Sequence, residues 1–269
     1  MRRGVQGLNS APVGAVTELA KHAEDAGYES WWAHDHVVLP TGPDAPMDAT
    51  TPIVDPLVHL AHVAAVTSRI TLGTAIVILP QRNPLVLAKQ SASLDAVSGG
   101  RFVLGVGAGW LAAEMNAVGV PMADRGARTD EYLDAMTALW DAPEPAFDGR
   151  FVTFAAVDAH PRPSGIRVVV GGRSPGAYRR AVQRAHGFYG NGTPADLAGD
   201  LAGLAKAAAE VERPARLGEL EITAMPLTEA DARAPELYAE LGVHRLALRP
   251  AQFTDVAQLH RWLDEHAPA

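Results

Sequence analysis

Eight times along this chain a short apolar, β-rich run is followed by a stretch of helical periodicity, and nothing else in the sequence restricts the fold as much. The strand candidates are Arg3–Leu8, Ser30–Ala33, Ile70–Leu79, Phe102–Gly107, Arg167–Val170, Gly187–Gly190, Glu219–Ala224 and Val243–Leu248. The helical stretches are Pro12–Ala26, Pro56–Thr67, Pro84–Val97, Thr129–Trp140, Pro175–Ala185, Pro194–Val211, Glu229–Leu241 and Thr254–Glu265. Apolar residues at spacings of three and four mark the second set, and short β-branched runs mark the first. Three helices announce their starts, because Asn83-Pro84, Ser174-Pro175 and Thr193-Pro194 each place a capping residue before Pro at the first helical position. Strand and helix alternating eight times predict an α/β fold of the (β/α)8 barrel type, for which about 250 residues is usual. A doubly wound sheet is the alternative. The barrel is preferred because eight units fill the 269 residues as one domain, 1–269, with no separate linker. The Pro- and Phe-rich stretch from Asp141 to Pro163 reads as an excursion after the fourth helix.

Charge and composition narrow the partners. The net charge is −8 and no basic run exceeds the pair Arg179-Arg180, which argues against nucleic acid and for small molecules. No run of about 18 apolar residues offers a membrane span. Arg2 and Arg3 are followed by no continuous apolar segment, and cysteine is absent. A cytoplasmic protein without disulfides is therefore expected.

In a barrel of this kind the chemistry sits on the loops after the strands. That rule selects Asn9, His34-Asp35-His36, Ala75-Ile76, Arg82, Gly107 to Trp110, Gly171 to Ser174, Asn191 and Arg249. His34 and His36, two apart on an extended segment, share a face, while Asp35 points away. Three uses are open for the pair: a metal-binding HxH, imidazoles that pack and hydrogen-bond, or an acid/base at His36. The metal use lacks further ligands at the other strand ends, where the chain reads Gly-Gly-Arg, Tyr-Gly-Asn and Leu-Arg-Pro. An imidazole suits proton transfer near neutrality. In GVGAGW the glycines at 105, 107 and 109 admit either close backbone approach to a ligand or tight packing. VVVGGRSPGA joins a strand to two glycines, a capping Ser and Pro, a helix start that presents N–H groups to an anion, with Arg173 adding charge. Its plain alternative is an ordinary capped loop. Arg125 and Arg128 precede the fourth helix and read as solvated or salt-bridged. Trp31 and Trp32 are expected to divide between the helix layer and the barrel.

These motifs, in this order, resemble the bacterial luciferase-like flavin and deazaflavin oxidoreductases. The resemblance is carried by ELAKHAEDAGYESWWAHDH, the long block DPLVHLAHVAAVTSRITLGTAIVILPQRNPLVLAKQSASLDAVSGGRFVLGVGAGW, GVPMADRGARTDEYLDAMTALW, VVVGGRSPGAYRRA and, more faintly, LGVHRLAL. It covers roughly half of the chain. It implies a barrel that binds coenzyme F420, with FMN as the alternative, at the C-terminal strand ends. It implies His36 as acid/base beside the Asp35 of the Asp-His pair, and a non-proline cis bond at Ala75–Ile76 under the ring. The phosphate-bearing tail is expected at Gly107, Ala108, Gly109, Gly171, Gly172, Arg173 and Ser174, and the substrate beside Asn9, His34, Trp110 and Asn191. No metal is expected.

Two departures qualify the expectation. The sugar and alcohol dehydrogenases of the family place a Glu where this chain has Trp110, and a Trp where it has Pro40. That speaks against sugar oxidation and for an apolar or conjugated substrate against a Trp110 wall. The leading reading is hydride transfer by reduced F420. FMN-dependent monooxygenation stands next, then a flavin-binding protein without turnover or a metallohydrolase. The resemblance also admits a homodimer and a separate reductase that supplies reduced cofactor.

Overall fold

A computed structural model describes residues 1–43, 45, 47–250 and 255–268. Its strands are β1 (Arg2–Gln6), β2 (Ser30–Ala33), β3 (Thr71–Thr74), β4 (Val77–Ile78), β5 (Phe102–Gly107), β6 (Phe147–Asp148), β7 (Thr153–Phe154), β8 (Arg167–Gly171), β9 (Gly187–Asn191), β10 (Glu221–Met225) and β11 (Arg245–Leu248). The α-helices are α1 (Val16–Asp25), α2 (Pro56–Val66), α3 (Pro84–Ser98), α4 (Ala112–Ala117), α5 (Arg125–Asp141), α6 (Pro175–Arg184), α7 (Pro194–Glu210), α8 (Glu229–Ala232), α9 (Pro235–Glu240) and α10 (Val256–Glu265). The parallel strands run β3-β2-β1-β11-β10-β9-β8-β5-β4, and pairing of β3 with β5 closes the ring. With β3 and β4 counted as one interrupted strand, this is the eight-stranded barrel that the alternation predicts.

The differences from expectation have local causes. The first strand stops at Gln6 because Gly7 takes φ +85° and turns the chain into a 3-10 helix. The third strand is broken between Thr74 and Val77. Gly73 pairs with Val103 but Val77 with Val106, so β3–β4 carries one extra residue, a bulge at Ala75-Ile76. The expected Glu229–Leu241 helix divides before Pro235, which disfavours helical backbone at Ala234. The expected start of the last helix, Thr254, lies outside the described residues. Helix α4 is an addition to the expected set.

The caps fall where the Pro-containing starts put them. Asn83 accepts from the amides of Leu85 and Val86, Ser174 from Ala177, and Thr193 forms a full capping box with Asp196. Each is worth roughly 1 kcal/mol. The excursion after α5 folds as the β6–β7 hairpin, pinned to the helix by Glu131, which accepts from the amides of Arg150, Phe151 and Val152.

Burial divides the two tryptophans as expected. Trp31 belongs to the layer between strands and helices and donates its indole N–H to His59 Nε2 at 2.9 Å. Trp32 fills the barrel with Val103, Val169, Tyr189, Met225 and Ala247. The floor is ionic: Arg245, 3% exposed, donates to Glu29 and Glu221, and Glu221 also meets Arg2 and Arg167. Burial would raise the Glu221 carboxyl, but these arginines more than offset it and hold it at about 2. Packed below and charged at its floor, the barrel leaves its C-terminal mouth for chemistry.

Candidate active site

The mouth is assembled around the loop after β2. Asn9, expected against substrate, is instead fully buried and holds that loop: its amide donates to the carbonyls of His34 (2.9 Å) and Val54 (3.0 Å) and accepts from the His34 amide. Its polar atoms are spent on backbone, so it serves as scaffold. His34 places Nε2 3.3 Å from Ser10 Oγ. Burial, helped by the charge of Arg249 and by His36, pushes its imidazole down to about 4, so the ring is neutral at pH 7.

Asp35 points the other way, as the alternation predicts. It is 4% exposed, accepts from the Ile78 amide at 3.1 Å, and receives Arg82 on both oxygens. Arg82 reaches on to Asp55, the cap of α2. Expected as a cofactor contact, Asp35 is occupied in tying the end of β2 to the far side of the bulge.

The bulge contains the cis bond Ala75–Ile76. The Ala75 carbonyl accepts from Gln6 Nε2 at 3.2 Å, and Gln6 Oε1 in turn accepts from the Tyr189 hydroxyl at 2.9 Å. Both supporting side chains are buried inside the barrel. The Ile76 side chain lies across neighbouring glycines: a Cβ at Gly107 would stand 2.4 Å from Ile76 Cδ1, and one at Gly171 2.7 Å from the same atom. These two glycines, expected to approach a cofactor, make room for Ile76. Gly109 has φ +83° and abuts Ile78 and Met115, so it too has a packing reason.

His36 is the centre of the arrangement. Its Nδ1 lies 3.0 Å from Glu114 Oε2, while Glu114 Oε1 accepts from the Val37 amide at 2.6 Å. Glu114 is fully buried. Burial alone would raise its carboxyl, but the His36 ring and the Val37 and Val38 amides more than offset that and hold it below the usual carboxylate range. Glu114 was not among the sequence candidates, because α4 is only six residues long and hides inside a mixed Ala-Glu-Met stretch. The signal lay four residues past Trp110, where a carboxylate returns one helical turn later. Gln6 and Tyr189 were missed as well; inward alternation on β1 and β9 was their only mark.

Trp110, expected as an apolar wall beside the substrate, is 63% exposed. With Val37 and Val38, also exposed, it gives the two loops joined by Glu114 an apolar outer rim. After β8, the strand that pairs with β5, Ser174 caps α6 and Gly172 takes φ +119°. Arg173 does not offer a free charge there: it bonds Asp200 through two nitrogens (2.9 and 3.1 Å) and the Asn191 carbonyl, and lies 3.6 Å from Asp196. Buried Asp200, which also accepts from Tyr178, claims the guanidinium. Ala108 lies in the loop just past β5, and Asn191 ends β9. A separate cavity of about 410 Å³, lined by Arg82, Arg128, Tyr132 and Phe151 among others, shares only Arg82 with this constellation.

The HxH pair is engaged otherwise than in a chelate, His34 toward Ser10 and His36 toward Glu114, with ring centroids 6.5 Å apart. Among the described residues no group of three His, Cys, Asp or Glu converges as metal ligands would. What the mouth offers is a shelf at Ala75-Ile76, a histidine braced by a buried carboxylate, and a capped helix start after β8.

Residues 1–268 match the family described as luciferase-like monooxygenase. The chain belongs to that family. Over 154 residues it is 40% identical to an uncharacterised protein of Mycobacterium tuberculosis, covering 54% of this chain and 55% of that protein. Over 180 residues it is 32% identical to the F420-dependent glucose-6-phosphate dehydrogenase of Kineococcus radiotolerans, covering 65% of this chain and 51% of that one. The chain thus matches about half the length of these curated relatives. An F420-dependent secondary alcohol dehydrogenase, solved with an F420-acetone adduct, superposes with TM-score 0.79 at 17% identity, over 98% of this chain and 97% of its own. At that identity the likeness concerns the luciferase-like fold. No helix among the described residues is long and apolar enough to cross a membrane.

Proposed function

We propose that this luciferase-like protein is an oxidoreductase that binds the deazaflavin F420 at the barrel mouth and exchanges hydride with a small apolar or conjugated organic substrate. The observation that carries the reading is His36: an imidazole at the C-terminal end of β2, braced by buried Glu114. The residues present fit a planar ring with an anionic tail. Ala75 and Ile76 form a small apolar shelf held from beneath by Gln6, and the start of α6 with Gly172, after the β8 end that abuts Ile76, supplies amide N–H groups. Bound there, the cofactor supplies two-electron hydride chemistry. His36 holds or accepts the proton that must accompany that transfer at the substrate oxygen, and Trp110, Val37 and Val38 favour an apolar substrate at the rim. Support for the deazaflavin comes from the long central block and from the F420-dependent relative at 32% identity.

The second reading is FMN-dependent monooxygenation, which the family's own description favours. Fluorescence titration of the purified protein with each cofactor separates the two. Tighter binding of F420 supports the proposal; micromolar FMN with no F420 reverses it. His36→Ala is expected to leave cofactor affinity within a few-fold and to lower turnover by about 10²-fold or more. Unchanged turnover would make His36 a packing residue.

A further inference from the structure

The buried carboxylate behind His36 has a consequence at the atom that faces away from it. We infer that Glu114 is a positioning residue that fixes His36 as the Nδ1–H tautomer and so makes Nε2 the proton-exchanging atom. This rests on the acid/base reading of His36.

The inference follows from donor and acceptor counting. Glu114 is fully buried, and each of its oxygens has an assigned partner: Oε1 receives the Val37 N–H at 2.6 Å and Oε2 faces His36 Nδ1 at 3.0 Å. An ionised carboxylate only accepts, so Nδ1 must carry a hydrogen. The neutral ring then has its lone pair at Nε2, where it takes a proton, and the cationic ring returns the proton from the same atom. The loop is committed together with the ring, because the carboxylate that orients His36 also holds the backbone amide of the next residue, Val37.

Substitution by the isosteric amide reads this out. In Glu114→Gln the side-chain oxygen must still meet the Val37 N–H, which turns the NH2 group toward His36 Nδ1. The amide donates, Nδ1 has to accept, and the hydrogen of the neutral ring moves to Nε2. A base is replaced by a donor with almost no change of shape. Glu114→Asp keeps an acceptor-only group and should keep the original tautomer at some cost in distance.

The experiment is ¹⁵N-resolved NMR of the histidine side chains in the cofactor-free protein, with His36→Gln to assign the resonance, followed by kinetics. The expected result is Nδ1–H in the wild type, Nε2–H in Glu114→Gln and Nδ1–H again in Glu114→Asp. Turnover should fall about 10²-fold or more in Glu114→Gln, with cofactor affinity within a few-fold, and recover in part in Glu114→Asp. An Nδ1–H signal retained in Glu114→Gln, or turnover unaffected by the change of tautomer, overturns the inference. Because the tautomer is read without cofactor, failure to bind F420 or FMN would count against the proposed function and leave this result standing.

Discussion

Replacing Gly107 by Ala tests why the loop after β5 is rich in glycine. The added Cβ would lie 2.4 Å from Ile76 Cδ1 and 3.3 Å from Cγ1, against the roughly 3.5–4.0 Å of an ordinary carbon contact. Gly107 is not among the positive-φ glycines, so its backbone accepts Ala and the penalty is purely steric. Overpacking of this size costs about 1–3 kcal/mol and should lower the urea midpoint by roughly 0.5–1 M. Because the obstacle is the far end of a side chain, Ile76→Ala should absorb it, and the double mutant should show a coupling of about 1–3 kcal/mol in the rescuing direction. Gly105→Ala is the control. Its Cβ would stand 1.9 Å from the backbone oxygen of Thr74, inside the two hydrogen bonds by which Thr74 Oγ1 clasps Gly105. Ile76→Ala removes little of that clash. The assay is urea unfolding followed by tryptophan fluorescence for the three single mutants and both doubles. If Gly107→Ala costs the same with and without Ile76, the steric account is wrong and the glycine serves a ligand instead.

Acid should weaken the fold through its buried histidines. His59 accepts the Trp31 indole N–H at Nε2, and burial, with smaller effects from His62 and His34, lowers it from 6.5 to about 4. The unfolded chain therefore binds a proton that the folded chain refuses, and stability falls as pH drops from about 6.5 to 4, by about 2 kcal/mol at pH 5. His59→Gln keeps an acceptor for Trp31 and should flatten that slope in chemical denaturation between pH 7 and 5; an unchanged slope contradicts the assignment. Arg173→Ala should cost about 1–3 kcal/mol of stability by stripping Asp200 of its cation, while cofactor affinity changes by no more than about fivefold. A hundredfold loss in the fluorescence titration would return Arg173 to the anion site.

The sequence carried the fold because each barrel unit is a local pattern: alternation and periodicity recur from repeat to repeat, and a cap before Pro opens α2, α3, α6 and α7. Ser174 and Thr193 could be read as caps from their neighbours alone, and both are. The site was legible only as far as position along a strand decides direction. Alternation after β2 put Asp35 and the two histidines on opposite sides, and the rule of strand ends put His36 at the mouth. What those groups touch depends on distant segments. Glu114 reaches His36 across 78 residues, and Gln6 receives Tyr189 across 183, contacts whose partners local spacing does not name. The same blindness applies to Arg173 and Asn9: a charge or amide at a strand end looks free until Asp200, or the carbonyls of His34 and Val54, are seen bonded to it. The glycines of the fifth strand were ambiguous for the same reason, since Ile76 enters their space from the bulge of another strand.

The most direct test of the central claim is the structure of the protein crystallised with F420. The account predicts the ring on the Ala75-Ile76 shelf, His36 Nε2 within about 3–4 Å of the reacting edge or of a bound substrate oxygen, and Glu114 still on Nδ1. A cofactor seated away from the mouth, or a ring farther than about 8 Å from His36, would contradict it.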